Sequence, residues 1–160
     1  MIWAYGNSRF APYSEQFFVG GANSVRAFNV REIGPGTYRS ASLGRSYVEQ
    51  TGEVKVQANV EYRPHLVGSL YGALFLDAGN VWTLHSDSSR PGSQFHFTNF
   101  FKELAFGTGV GIRYDIGFFM LRLDWGIGLH VPYETGRSRL YNIRHFRDAQ
   151  ALHLAIGLPF

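Results

Sequence analysis

The chain has no cysteine, which excludes both a disulfide framework and a thiolate metal site and leaves the compartment open. Charge is scarce: Asp, Glu, Lys and Arg make up 17% of the 160 residues, little for a soluble domain. Although 45% of the residues are hydrophobic, no run of about 18 apolar residues exists that could cross a bilayer as a helix. A mean hydropathy of −0.12 agrees. The leading residues Met1 to Gly6 lack the basic stretch, apolar core and small-residue cleavage site of a signal peptide. The chain is therefore expected either not to be exported or to begin within a longer one.

Signs of catalysis are missing too. The histidines, at 65, 85, 96, 130, 145 and 153, show no His-Glu-x-x-His spacing, and there is no Gly-x-Ser-x-Gly. Gly107-Thr108-Gly109-Val110-Gly111 lies inside a strand pattern and leads to no helix, so it is not a phosphate loop. Its glycines are expected to leave space beside the strand or to let it bend. No catalytic residue, cofactor or metal is expected. The net charge of +3 comes from dispersed arginines, which does not point to a nucleic-acid partner.

Glycine and aromatic residues are plentiful, 19 glycines and 16% aromatics, a composition suited to tightly packed β-structure. The alternation is clean. In Glu53–Arg63 the even positions Val54, Val56, Ala58, Val60 and Tyr62 are apolar, and the odd ones are Glu, Lys, Gln, Asn, Glu and Arg. A strand is expected over about 53–63 and another over 70–82, with Leu70, Leu74, Leu76 and Trp82 on one face and Tyr71, Ala73, Phe75, Asp77 and Gly79 on the other. Two more follow over 104–116 and 119–129, each with one apolar face and one of glycine and charge. The last, 151–160, sets Leu152, Leu154, Ile156, Leu158 and Phe160 against His153, Ala155 and Gly157. Ile2 to Gly6 reads as the end of a further strand, carrying Trp3 and Tyr5. On single strands, Arg122 with Asp124 and Arg113 with Asp115 are expected ion pairs.

The connections alternate in length. Short turns near 64–68 and 115–118 interleave with long polar loops near 7–51, 83–103 and 130–149. Strands of roughly 10 to 13 residues match a tilted crossing of a bilayer. A soluble β-sandwich would share the alternation, but with a solvated charged face, fewer glycines and shorter strands. Tyr62, Tyr114, Phe119 and Phe160 fall on the apolar side at the short-turn end, where an interfacial girdle belongs. The expected fold class is all-β, a transmembrane antiparallel β-barrel. About six strands cannot close one, since the smallest use about eight, so a C-terminal fragment is expected.

Within the first long loop stands Gly20-Gly21-Ala22-Asn23-Ser24-Val25-Arg26-Ala27-Phe28. Parity puts Glu61 and Asp77 on the polar inner face with no obvious basic partner on their own strands. A buried carboxylate needs a cation or several donors. Arg26 is the candidate partner, delivered by a loop tip folded inward as a two-pronged guanidinium. The plainer reading is a solvated loop arginine in an incidental salt bridge, contributing about 0–1 kcal/mol.

Val25-Arg26-Ala27-Phe28, Asn59-Val60-Glu61-Tyr62, Asp77-Ala78-Gly79-Asn80-Val81-Trp82 and Ile156-Gly157-Leu158-Pro159-Phe160 resemble, in order and spacing, the barrel of the BamA/TamA superfamily, also called bacterial surface antigens. The resemblance covers essentially the whole chain. It implies a barrel of about sixteen strands, of which this chain holds the end of the eleventh and all that follow, with periplasmic POTRA domains and the first strand upstream. It also implies that the loop motif, Val25, Arg26, Ala27 and Phe28, lies in the lumen with Arg26 on Glu61 and Asp77. Ala27 departs from the family's usual glycine and loses easy access to positive φ. Leu154, Ile156, Gly157, Leu158 and Phe160 look like the C-terminal recognition signal of outer-membrane proteins and one side of a seam.

The function implied is assembly: insertion of β-barrel proteins into the bacterial outer membrane, or translocation across it, through a lateral seam. The implied partners are nascent outer-membrane proteins, the lipid bilayer, the POTRA domains of the same full-length chain and accessory subunits. Lipopolysaccharide could meet Arg137, Arg139, Arg144 and Arg147, although those arginines also suit a solvated loop. Two alternatives stay open, a passive porin-like channel and the barrel of a patatin-like lipase fusion.

Overall fold

The structure, a computed structural model, describes residues 1–2, 11–40, 50–136, 141–143 and 146–157. Trp3, Tyr5, Arg137, Arg139, Arg144, Leu158 and Phe160 lie outside the described residues.

The chain is all-β. Six strands form one antiparallel sheet: β1 (Val54–Tyr62), β2 (His65–Val67), β3 (Leu70–Trp82), β4 (Ala105–Asp115), β5 (Met120–His130) and β6 (Gln150–Gly157). The spatial order is β1-β3-β4-β5-β6, with β2 pairing to β3 beyond the end of β1. This sheet is an open wall rather than a closed barrel, with β1 and β6 at its edges. Among the described residues no helix is long and apolar enough to cross a membrane. Among the described residues three single turns of 3₁₀ helix, Tyr13–Glu15, Phe97–Asn99 and Phe146–Ala149, punctuate the loops.

One expectation fails here. Residues 64–68 are more than a turn: His65–Val67 is a strand, its pairing with β3 shifting between His65↔Tyr71 and Val67↔Leu70. Three residues between Pro64 and Gly68 are too few to show a period.

The period-2 pattern becomes two unlike faces. Val60, Tyr62, Leu74, Leu76, Val110, Ile112, Tyr114, Leu123, Trp125, Leu152, Leu154 and Ile156 form an outer face that remains exposed. A wall of this kind leaves its apolar side to lipid. On the other face Ala73, Phe75, Asp77, Arg113 and Asp124 are buried. The hydrophobic core therefore lies between the first loop, the sheet and the β5–β6 connection. Val19, Val25, Ala27, Phe28 and Ile33 from the loop pack on Val81, Ala105, Val131, Ile143 and Ala149.

Trp82 departs from its expected place beside Leu74 and Leu76. It shares their parity, yet it is fully buried. The β3–β4 connection folds back over it, placing Phe95 and Phe100 against its ring at centroid distances of 5.3 and 5.6 Å and the Glu103 carboxylate on its Nε1–H. That connection, expected to be a polar loop, is aromatic in its second half.

Candidate functional site

The first loop enters the inner face as two arms and a tip. Isolated bridges Phe17↔Gly52 and Val19↔Ile33 hold the arms. Gly20 and Gly21, with φ of 105° and 94°, turn the chain into the tip, a left-handed conformation that side chains disfavour. A Cβ at Gly20 would also run into the carbonyl of Asn29. The tip closes on itself through Gly21 N–H to Phe28 O at 2.8 Å and Phe28 N–H to Val25 O at 3.2 Å.

Arg26 lies at the centre, 5% exposed. Its Nε and Nη2 donate to the two oxygens of Asp77, each at 2.8 Å, and its backbone N–H donates to the same carboxylate at 3.0 Å. Nη1 reaches Glu61. The guanidinium also stacks over Phe75, 3.7 Å from the ring centroid, on the face where its attraction to the π-system is largest. The forked geometry suits arginine and not lysine, because two parallel donors meet two carboxylate oxygens at once.

Register explains why these groups meet. Asn59 is directly opposite Asp77 and Glu61 directly opposite Phe75. Asn59 Nδ2 donates to Asp77 at 2.7 Å and to the carbonyl of Ser24 at 2.8 Å, and Ser24 Oγ donates to Gln57 at 2.9 Å. Polar residues of β1 and β3 are thus complementary to the tip's backbone as well as to its arginine.

The pairs expected within single strands are not formed. Arg113 Nη1 lies 2.6 Å from Asp124 Oδ1 on the next strand, and its Nη2 lies 3.1 Å from Glu61 two strands away. Asp115 instead accepts the N–H of Gly117 at 2.7 Å. Arg122 turns away to donate to Ala22 O at 2.9 Å and Asn23 Oδ1 at 2.8 Å in the loop. Neighbours at i and i+2 point in parallel about 7 Å apart, and a diagonal neighbour on the next strand is about as far but within reach of a long side chain leaning toward it. Arg113 and Arg122 are directly opposed, and like charges so placed repel, which favours their divergence. Glu61 does have a basic partner on its own strand side: Arg63 Nε reaches it at 2.6 Å, because Arg63 lies just past the end of β1 and is half exposed.

Glycines on the inner face form the bed of the loop. A Cβ at Gly107 would overlap that of Ala27, one at Gly126 would overlap the carbonyl of Arg26, and one at Gly128 would come within 2.8 Å of the Phe28 ring. Gly111 clears the space in which Arg113 meets Asp124. Ala27 does not need positive φ, since the one non-glycine residue with that conformation among the described residues is Arg31. Its methyl group fills the space over Gly107.

Arg113, Asn59 and Ser24 join the site although the motif did not single them out. Glu53 is another omission. Fully buried at the loop end, it accepts the N–H of Ala11 at 2.7 Å and of Leu84 at 2.9 Å, tying two loops to one carboxylate. Its inward parity was the available signal.

An antiparallel wall of long strands, apolar outside, charged and glycine-lined inside, with a loop seated on the inner face, defines a piece of a membrane β-barrel with a lumenal loop. A profile of the Omp85 superfamily domain matches residues 1–158. The chain belongs to the Omp85 superfamily. That superfamily consists of outer-membrane β-barrels, non-enzymatic proteins of assembly and transport concerned with protein insertion and translocation.

Proposed function

We propose that this chain forms the seam-bearing part of an outer-membrane factor that inserts β-barrel proteins, with the Arg26 clamp as its internal brace. The observation that carries the reading is the clamp. A passive channel wall does not require an arginine forked onto a buried carboxylate and a loop bedded on glycines across the inner face. Breaking one partner of such a buried network costs about 3–5 kcal/mol, while the intact network adds more to uniqueness than to net stability. Its role here is to hold the loop, and through it β1, β3, β4 and β5, in one arrangement.

The work itself falls to the last strand. β6 has β5 on one side, and Leu152, Leu154 and Ile156 project into the outer face. An edge strand with unpaired N–H and C=O groups templates an incoming strand by β-augmentation. The client gains backbone pairing and buries its apolar face in lipid, so no nucleotide is needed. Leu154, Ile156, Gly157, Leu158 and Phe160 act as this side of the seam. Nascent outer-membrane proteins are the clients, the upstream POTRA domains deliver them, and accessory subunits assist. The exposed Arg147 is a contact for lipopolysaccharide phosphate.

A photocrosslinking amino acid at Leu154 or Ile156 in the full-length protein tests the seam while a reporter barrel assembles. Adducts with the reporter's terminal strand are expected, and their loss when the seam is locked by an engineered disulfide. Assembly that proceeds unchanged with the seam locked would overturn the lateral route.

A further inference from the structure

The β3–β4 connection carries an aromatic cluster that neither the clamp nor the seam uses. Phe95, Phe97, Phe100 and Phe101 fall within seven residues. Phe95 and Phe100 cover Trp82, and Phe97 stacks on Phe100 with centroids 6.4 Å apart. Phe97 and Phe101 are left 82% and 77% exposed. A domain in water has no reason to present two phenylalanines so fully, one of them in a stack that orients it outward.

Two observations place the cluster relative to the sheet. Parity gives the side: Trp82 lies in the same outward series as Leu74 and Leu76, both exposed, with half-buried Ala78 and buried Asn80 between them, so the aromatic cap lies on the outer side of the sheet. Length gives the height. The 13 residues of Leu70–Trp82 run roughly 40 Å along the strand at about 3.3 Å per residue. Tilted by about 40°, the strand rises roughly 30 Å, a little more than the apolar band of about 25 Å. Leu70 pairs with Tyr114, at the end where Tyr62 and Tyr114 are exposed on the same face. Trp82 and its cap therefore lie at the opposite edge of the band. Exposed Lys102 follows directly after Phe101, a cation at the level of headgroup phosphates.

We propose that residues 95–102 dock on lipid, with Phe97 and Phe101 inserted at the interface between headgroups and acyl chains of the leaflet on the loop side. The occupant is the bilayer and not a protein partner, because the patch lies on the side of the lipid-facing wall, at the edge of its apolar band, and combines aromatic rings with a neighbouring lysine. The folded-back loop thereby anchors the upper end of β3, the strand that also carries Asp77.

The test uses full-length protein, without other cysteines, in phosphatidylcholine vesicles. Phe97→Cys, Phe101→Cys and, in the polar half of the same loop, Ser88→Cys are each labelled with a small environment-sensitive fluorophore. Emission at 97 and 101 is expected to be quenched by lipids brominated near the headgroup, and iodide quenching there is expected to be at least roughly twofold weaker than at Ser88. Equal iodide quenching at all three positions would place the patch in water and overturn the proposal. Shielding of 97 and 101 from both quenchers would mean that protein covers them, and would overturn it equally. Trp82, Phe95 and Phe100 remain in every variant, so loss of the cap is not a trivial route to either result.

Discussion

Two long loops leave the same end of the sheet and are joined there by Thr37 N–H to Gly92 O at 3.0 Å, yet the tip of one enters the inner face and the aromatic half of the other covers Trp82 on the outer side. Their anchors lie five positions apart on β3. Asp77 has inward parity and holds the first loop through Arg26; Trp82 has outward parity and lies beneath the Phe95–Phe100 cap. The tip of the inward loop adds to its apolar packing a buried charge matched oxygen for nitrogen, because a lumenal wall supplies carboxylates and amides. The outward loop is fixed by aromatic area. One strand thus sends two loops to two environments, and the side of the strand on which the anchor stands decides which.

Substitutions that strike one anchor should spare the other loop. Arg113→Met leaves buried Asp124 without its ion-pair partner and removes one of three arginines from Glu61, so a loss of about 3–5 kcal/mol is expected. Denaturant unfolding of the full-length protein in micelles measures it, and limited proteolysis should find the first loop opened while residues 95–101 stay protected. Trp82→Ala is expected to cost up to about 3–5 kcal/mol by emptying a filled site. Proteolysis should then report the reverse pattern, a loosened 83–104 connection above an intact clamp.

Gly126→Val sharpens the contrast, because its side chain invades the backbone of Arg26 without touching any charge. A cost of about 1–3 kcal/mol is expected from overpacking, visible as lifted loop protection, whereas the same change at Gly68, where nothing lies nearby, should leave that protection unaltered. Smaller still is Ala27→Gly, which exchanges the methyl over Gly107 for backbone freedom and should destabilise by about 0.5–1 kcal/mol.

The smallest effect concerns pH. The Ser89 hydroxyl at 2.6 Å, and then Arg90 at 2.8 Å, lower the Asp87 pKa to about 2 from an ordinary 3.8. A lowered pKa means stabilisation present above the unfolded value and lost as pH falls through about 2. Order at Ser86–Arg90, followed by amide exchange, should therefore be constant from pH 7 to about 5 and weaken only in strong acid.

How much of this was legible in the sequence varies with the range of the interaction. Alternation is local, so the wet and dry faces of β1 could be read directly from Val54, Val56, Ala58, Val60 and Tyr62, and with them the inward direction of Glu61 and Asp77. Register is not local. A single strand offers Arg113 only Asp115, whereas Asp124 comes beside it only when β4 and β5 align as Gly111↔Asp124. Trp82 was misplaced for a related reason: its parity was read from the strand, but its burial is imposed by residues up to Glu103. The signal for that is the Phe-x-Phe-x-x-Phe-Phe spacing of residues 95–101, within a connection whose overall composition is polar. The glycine bed shows the same limit, since Gly107, Gly126 and Gly128 leave room whose occupants, Ala27, Arg26 and Phe28, stand 80 to 100 residues earlier.

The central claim is that Arg26 braces the inward loop for assembly. Its most direct test is charge reversal in the full-length protein, Arg26→Glu alone and then combined with Asp77→Arg, read by proteolysis of the loop and by assembly of a reporter barrel. The account predicts that the single change exposes the loop and stops assembly, and that the pair restores both in part. A loop and an assembly rate unchanged by Arg26→Glu would contradict it and favour a passive barrel.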